Sequence, residues 1–301
     1  MNVNVREKSL ELRILETLRP RMKLASEDEK RFQSLAKGYE GEVFFDNVMD
    51  NYSRGWLVLK DLLFEINHSL FQIDSLVIFH DLIYVFDIKN FVGDYFIEGD
   101  KWYSVNKKEL TNPLHQLQRC EHLFLRLLHE MNCYLPIKSY ISFVNPEFYL
   151  YQAPLNQPFI FLPQLQRFLG RLYLKPVKLQ KSHFALAEQL LALNIKNYRN
   201  MKLPLFTYEL LRKGIICENC HQFVELLNDK MVICRHCGRM ESIHSAILRS
   251  VEEFRLLFPE QRVTKYTIFE WCDGVASQSM IQRELKENFT ITGRGKTTHY
   301  I

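Results

Sequence analysis

Two aspartates and a lysine stand at a spacing that two adjacent strands would bring together. In the run from Phe71 to Lys89, apolar residues flank Asp74 and Asp87, and Lys89 follows Asp87 by two positions. If His80 and Asp81 are the central pair of a tight hairpin turn, Asp74 faces Asp87 and Gln72 faces Lys89. Side chains alternate along a strand, so these four project from one face, and Ile73, Phe86 and Ile88 from the other. Like charges directly opposed across strands, with Cβ atoms about 5 Å apart, destabilise a sheet unless something compensates. A divalent cation, Mg2+ or Mn2+, would do so, because two carboxylates and a main-chain carbonyl are the hard oxygen ligands it prefers. Lys89 would then lie beside the attacking water and stabilise charge building on a phosphate. An ordinary ion-pair cluster, with Asp74 and Asp87 sharing Lys89, uses the same residue types.

A second set is made of thiols. Cys217 and Cys220, then Cys234 and Cys237, form two C-x-x-C pairs thirteen residues apart. That is the spacing of a structural four-cysteine Zn2+ site with tetrahedral thiolates. Phe223 to Leu227 and Lys230 to Ile233, broken at Asn228-Asp229, read as a hairpin between the knuckles, hence a zinc ribbon. So few apolar residues need the metal to fold. A redox pair would require a thioredoxin-like βαβ surround, and the haem-attachment pattern ending at His221 is at odds with a second cysteine pair. His221 and His236 are spare surface histidines, and Cys120, Cys133 and Cys272 buried thiols.

Helices and strands must position these groups. Leu10, Leu12, Ile14, Leu15 and Leu18 mark an amphipathic helix stopped by Pro20. Ser26 with Glu29 forms a capping box for a helix running to about Asn51, striped by Phe32, Leu35, Phe44, Phe45 and Val48. Gly38 and Gly41 inside it each cost about 1 kcal/mol against Ala, which close approach of another backbone would justify. Strand-like runs follow at Trp56–Phe64, Leu70–Phe79, Leu82–Ile88, Tyr95–Glu98 and Lys101–Val105. Asn112-Pro113 then caps and opens a helix to about His129. Strands at Ser139–Val144 and Phe148–Tyr151 and helices at Gln164–Leu172 and Ser182–Leu193 complete an α/β pattern with one mixed sheet.

Together these pieces carry a resemblance. Asp74, a dozen residues, then Asp87-x-Lys89 ending a hydrophobic strand is similar to the PD-(D/E)xK nuclease core. The wider set resembles the nuclease-related (NERD) domain of that superfamily: Gly38-x-x-Gly41-Glu42, Gln72-Ile73-Asp74, Asp87-Ile88-Lys89-Asn90 with Gly93, Trp102, and Asn112-Pro113-x-x-Gln116, over about residues 37 to 145. The resemblance implies a restriction-endonuclease-like mixed sheet flanked by helices. It implies a metal-dependent phosphodiesterase with Asp74 and Asp87 as Mg2+ or Mn2+ ligands, Lys89 as catalytic lysine, Glu42 as the helix acid (a ligand or a residue supporting one), and Gln72 in the same site. It points to DNA processing and to bacteria. Asp87 stands where the family often has Glu, and its shorter side chain demands a closer metal. Read on their own types, Glu42 is a solvated helix charge, Trp102 a core residue, and Gln116 a residue able to reach the site or the nucleic acid.

The carboxyl-terminal stretch suits a helix-turn-helix. Ile247, Leu248, Val251 and Phe254 recur at helical spacing; Thr267–Cys272, a turn at Asp273–Ala276 and Ser277–Phe289 follow. Ile281 and Leu285 face inward, while Gln278, Gln282, Arg283 and Lys286 face outward, types that touch bases and phosphates. Thr290–Ile301, with Arg294 and Lys296, resembles the wing of a winged helix; a small protein-contact module would use the same fold. Net charge is only +4, yet ten Lys or Arg stand against two Glu between residues 163 and 213. Lys175, Lys178 and Lys181 in that stretch form a candidate phosphate track. With 47% hydrophobic and 25% charged residues, the chain is neither disordered nor fibrous, and no run is apolar enough for a membrane span. These features predict a cytoplasmic protein with a helical arm (1–36), a nuclease-like domain with a basic extension (37–205), a zinc ribbon (206–240) and a winged-helix-like module (241–301). The predicted function is metal-dependent DNA hydrolysis. The rivals are a non-catalytic DNA-binding or regulatory protein keeping the nuclease fold, and an RNA-directed nuclease.

Overall fold

The computed structural model describes residues 1–52, 55–175, 178–196, 201–295 and 298–301. The chain divides into two compact units, Met1–Lys8 with Gln33–Asn200 and Ser9–Phe32 with Met201–Ile301. Helix α1 (Leu10–Leu18) is capped by Ser9, whose side chain accepts from the Leu12 N–H, and it buries Leu12, Leu15 and Leu18. Helix α2 (Ser26–Asp50) starts one residue earlier than the capping box predicts. The Ala25 carbonyl accepts the Glu29 N–H, and Glu27, Asp28 and Glu29 lie at the positive end of the helix dipole.

The larger unit is mixed α/β. Its elements are β1 (Leu57–Ile66), β2 (Ser69–Ile78), β3 (Ile83–Lys89), β4 (Gly93–Glu98), β5 (Lys101–Ser104), β6 (Glu109–Leu110), α3 (Pro113–Glu130), β7 (Ile137–Phe143), β8 (Phe148–Tyr151), β9 (Phe159–Phe161), α4 (Leu162–Tyr173) and α5 (Lys181–Leu193). Instead of one sheet there are two, a five-stranded sheet in the order β1-β2-β3-β7-β9 and a four-stranded sheet in the order β6-β5-β4-β8. The chain leaves the large sheet after Lys89, and Gly93 adopts a φ of 95° that glycine reaches without strain. Strands β1, β2 and β3 are antiparallel, whereas β7 lies parallel to β3, a pairing that requires a crossover, here containing α3. Helix α3 begins as expected, with Asn112 accepting from the Leu114 N–H and Pro113 in the first turn. Leu62, Phe64, Leu76 and Val85 pack on Phe124 and Leu128 of α3 and Leu186 and Leu190 of α5. On the opposite face Val58, Val77, Tyr84 and Phe86 pack on Phe45 and Met49 of α2 and Leu165 and Leu169 of α4. Trp102 is buried beneath the small sheet with Ile97, Phe143 and Phe148.

The second unit holds β10 (Glu225–Asn228), β11 (Met231–Ile233), β12 (Met240–Ser242), α6 (Ile243–Leu257), α7 (Lys265–Trp271), α8 (Gln278–Asn288), β13 (Ile291–Thr292) and β14 (His299–Tyr300). Strands β10 and β11 form the expected hairpin, and β12 adds a third strand that the sequence did not suggest. Ser242, Thr264 and Ser277 cap α6, α7 and α8, each accepting a backbone N–H from the first turn. Leu18, Cys217, Val232, Ile247, Phe254, Trp271 and Leu285 belong to one hydrophobic core, so α1, the cysteine segment and the carboxyl-terminal helices are buried together. Among the described residues, no helix is long and apolar enough to cross a membrane.

Candidate functional site

The β2–β3 hairpin has the predicted register. Ser75 pairs with Phe86, Leu76 with Val85, Val77 with Tyr84 and Ile78 with Ile83, and the Phe79 N–H donates to the Leu82 carbonyl across His80-Asp81. Carried one row further, this register sets Asp74 beside Asp87, and there regular pairing gives way. Asp74 Oδ2 accepts the Ile88 N–H at 2.7 Å. Lys89 Nζ donates to Asp87 Oδ1 at 2.9 Å and to Gln116 Oε1 of α3 at 3.0 Å. Asp87 Oδ2 is buried and has no hydrogen-bond partner among the described residues.

Strict alternation fails on the other hairpin. On β1, Leu57 and Leu59 face the same core as Leu62, Phe64 and Ile66; on β2, Phe71 and Ile73 face the same core as Leu76 and Ile78. One residue on each strand, Asp61 and Asp74, therefore falls outside the alternation, between the paired rows Lys60 with Ser75 and Leu62 with Ile73. Asp61 has a left-handed φ of 51°. As a result Ile73 lies with Ile83 and Val85 rather than with Phe86 and Ile88. Gln72 does not face Lys89 as expected: its Nε2 donates to Asp61 Oδ1 at 2.9 Å. Asp61 belongs to none of the motifs described above. Its signal was present, because Asp61, Asp74 and Asp87 recur every thirteen residues. Asn67 and His68, with φ of 47° and 58°, form a two-residue turn joining β1 and β2, which brings that recurrence into one row across three strands.

Helix α2 supplies the fourth acid. A Cβ on Gly41 would stand 2.5 Å from the Asn90 Cβ, so glycine lets the helix pass the end of β3; nothing lies within 4 Å of a Cβ on Gly38. Glu42 follows, and its Oε2 accepts from Arg6 Nη1 at 2.6 Å. Arg6 also donates to both carboxylate oxygens of Asp46, at 2.8 and 3.2 Å, and from Nη2 to the Asp74 carbonyl at 2.6 Å. Arg6 belongs to no short motif and lies far from these partners in the chain, so its role is not legible from local sequence. Burial raises Asp74 well above the ordinary carboxylate range, and Asp87 and Glu42 add to the effect. Burial also raises Asp87 against the pull of Lys89, and raises Glu42 to about 7 against that of Arg6. Asp61 is shifted up by burial too. Cys120 of α3 donates to the Gln72 carbonyl at 3.3 Å, its thiol pushed up to about 12 by burial and by Asp87 and Asp74.

The four cysteines do converge. Their Sγ atoms all lie within 4.8 Å of one another, with Cys217 and Cys237 3.7 Å apart and Cys220 and Cys234 3.4 Å apart. A tetrahedron of thiolates about 2.3 Å from a zinc ion has edges of about 3.8 Å, so the cluster fits a zinc ribbon. Among the described residues it is the one such group of three or more His, Cys, Asp or Glu ligand atoms; Glu42, Asp74 and Asp87 do not close this tightly. Each knuckle turns back by a hydrogen bond, His221 N–H to the Cys217 carbonyl and Gly238 N–H to the Cys234 carbonyl, and both residues have left-handed φ, 56° and 73°. The Arg239 N–H, followed by the Asn219 side chain, lowers the Cys237 thiol to about 6.

The remaining expected contacts are spread over both units. Lys175, Lys178 and Lys181 are exposed around the start of α5, with Lys175 Nζ donating to the Tyr84 hydroxyl at 3.1 Å. In the second unit Gln278 and Gln282 are half-buried on α8, Lys286 and Arg294 are exposed, and Arg283 Nε donates to the buried Glu284 at 3.3 Å. Lys296 lies outside the described residues.

Residues 37–144, about a third of the chain, match the family model of the nuclease-related domain (NERD). No curated protein and no solved structure matches the chain.

Proposed function

We propose that this nuclease-related domain hydrolyses phosphodiester bonds in DNA, using Mg2+ or Mn2+ held by Asp74 and Asp87. The reading is carried by two adjacent raised carboxylates, one with a buried oxygen that has no partner among the described residues, beside a lysine ammonium. Such carboxylates destabilise the fold until a cation shares them, and their oxygens are the hard donors it takes. When bound, the cation supplies charge stabilisation to the phosphate and eases deprotonation of the attacking water. Lys89 orients that water and draws the charge developing on the phosphate oxygens; Gln116, whose Oε1 accepts from Nζ alongside Asp87, fixes the ammonium. Glu42 and Gln72 support the row of acids from α2 and β2. A purely structural cluster would have both aspartates on Lys89, whereas Asp74 instead accepts a backbone N–H and Lys89 turns to Gln116.

The cysteines hold one structural Zn2+. Lys175, Lys178 and Lys181 follow the phosphate backbone, and α7, α8 and the β13–β14 hairpin act as a winged-helix-like second contact through Gln278, Gln282, Arg283, Lys286 and Arg294. Incubation of the full-length protein with single- and double-stranded DNA and RNA, in Mg2+, Mn2+ or EDTA, tests the reading. Cation-dependent cleavage of DNA that Asp87→Ala abolishes is expected. Binding without cleavage of any substrate would move the non-catalytic rival ahead, and cleavage of RNA alone the other.

A further inference from the structure

Arg6 lies thirty-one residues before the start of the matched segment, yet its side chain is 3% exposed and reaches Glu42, Asp46 and the Asp74 carbonyl. It is delivered by an amino-terminal segment tethered to β1. Asn2 bridges Val58 in parallel, the Val3 N–H donates to the Val58 carbonyl at 2.9 Å, and Asn4 exchanges hydrogen bonds of 2.7 and 2.8 Å with the Lys60 backbone. These bonds tether the segment to the outer edge of β1 and aim Arg6 at Glu42, Asp46 and the Asp74 carbonyl. We infer that Arg6 is a positioning residue of the cation site, a fixed internal cation that locks the α2 acid Glu42 to the β2 backbone at Asp74. The inference rests on the proposed reading of Asp74 and Asp87 as cation ligands.

The geometry favours this over a plain ion pair. Four N–H contacts, at 2.6, 2.6, 2.8 and 3.2 Å, come from all three nitrogens of one planar group and reach two side chains and one main-chain carbonyl. A lysine could not reproduce that fork. The Asp74 carbonyl belongs to the residue proposed as a ligand, so freeing it and Glu42 loosens the ligand itself. Residues that orient ligands in this way are worth about 10- to 100-fold in metal affinity.

Mn2+ binding to the zinc-loaded full-length protein, followed by electron paramagnetic resonance and by calorimetry, tests the inference without relying on cleavage. Wild type should bind Mn2+ and Asp87→Ala should not; wild type without binding overturns the site reading and this inference with it. Arg6→Ala should weaken Mn2+ by about 10- to 100-fold, with Arg6→Lys recovering part of the loss. Because Asp46 also depends on Arg6, the double variant Arg6→Gln/Asp46→Asn removes paired charges together and guards against a misfolded single mutant. A folded double variant should bind Mn2+ as weakly as Arg6→Ala. Wild-type Mn2+ affinity in either cooperatively folding variant, while Asp87→Ala has lost binding, would overturn the role of Arg6 and leave the site standing.

Discussion

Raising the pH of the protein without Mg2+ or Mn2+ strips protons that the fold itself favours. Burial raises Glu42 from its ordinary 4.5 to about 7, and raises Asp74 and Asp87 in the same direction. A carboxyl group raised in the fold binds more protons there than in the unfolded chain, so its stabilisation is complete below about pH 4 and is lost as pH climbs through the folded value. For Glu42 alone, whose side chain is 21% exposed, the loss between about pH 4.5 and 7.5 amounts to about 3 kcal/mol. In a unit of this size that lowers the Tm by about 6–12 °C. A saturating divalent cation favours the ionised acids and reverses the trend, so the stabilisation by Mn2+ should grow from near nothing at pH 5 to its full value at pH 8. Calorimetric melts of zinc-loaded protein in cation-free buffers from pH 5 to 8, with and without Mn2+, measure both slopes. Glu42→Gln should flatten the cation-free profile. A Tm that is level or rises with pH in cation-free wild type, or a Mn2+ effect equal at pH 5 and 8, would refute the electrostatic reasoning.

Other perturbations reach different parts of the structure. Asp87→Ala and Lys89→Ala should each abolish cleavage in gel assays while unfolding cooperatively, and Asp87→Ala should raise the cation-free Tm by relieving repulsion with Asp74. Native mass spectrometry should find one Zn2+ per chain, and Cys234→Ser should release it and unfold the second unit, whose core contains Cys234. Replacing Lys175, Lys178 and Lys181 by Ala should flatten the plot of log affinity for duplex DNA against log salt by up to about 0.9 per lysine. Truncation is the wrong tool for the last sixty residues, because α6 to α8 share a core with α1 and the cysteines. Gly41→Ala should destabilise through its clash with Asn90, whereas Gly38→Ala, with open space around it, should stabilise by about 1 kcal/mol in denaturant melts.

Local chemistry explains what could be read without coordinates. The β2–β3 register follows from one two-residue turn, the start of α3 from Asn112-Pro113, and the cysteine cluster from spacing alone, since each is decided within a few residues. The second sheet was hidden because β4, β5 and β8 look like any other strands, and the chain leaves the large sheet for them twice, after Lys89 and again after Phe143. Alternation alone places Gln72 opposite Lys89, a rule that Asp61 and Asp74 break. Gln116, which its motif already placed within reach of the site, meets Lys89, whereas Arg6 with Glu42 joins distant segments, a pairing that no period or short motif encodes.

The two aspartates that break alternation bear on how the β1–β2 hairpin can change in length. With Asp61 and Asp74 both omitted, Leu57, Leu59, Leu62, Phe64 and Ile66 would alternate without interruption, as would Phe71, Ile73, Leu76 and Ile78. The hydrophobic core therefore asks for a hairpin two residues shorter. Loss of one aspartate alone would leave two residues opposing one, a bulge, while loss of both would restore a regular ladder. The fold should therefore accept deletions at this level in matched pairs, and the residues so removed are acids outside the hydrophobic core. Retaining them runs against the strands' own period, a local conflict of the kind that natural folds keep where chemistry, not stability, sets the sequence.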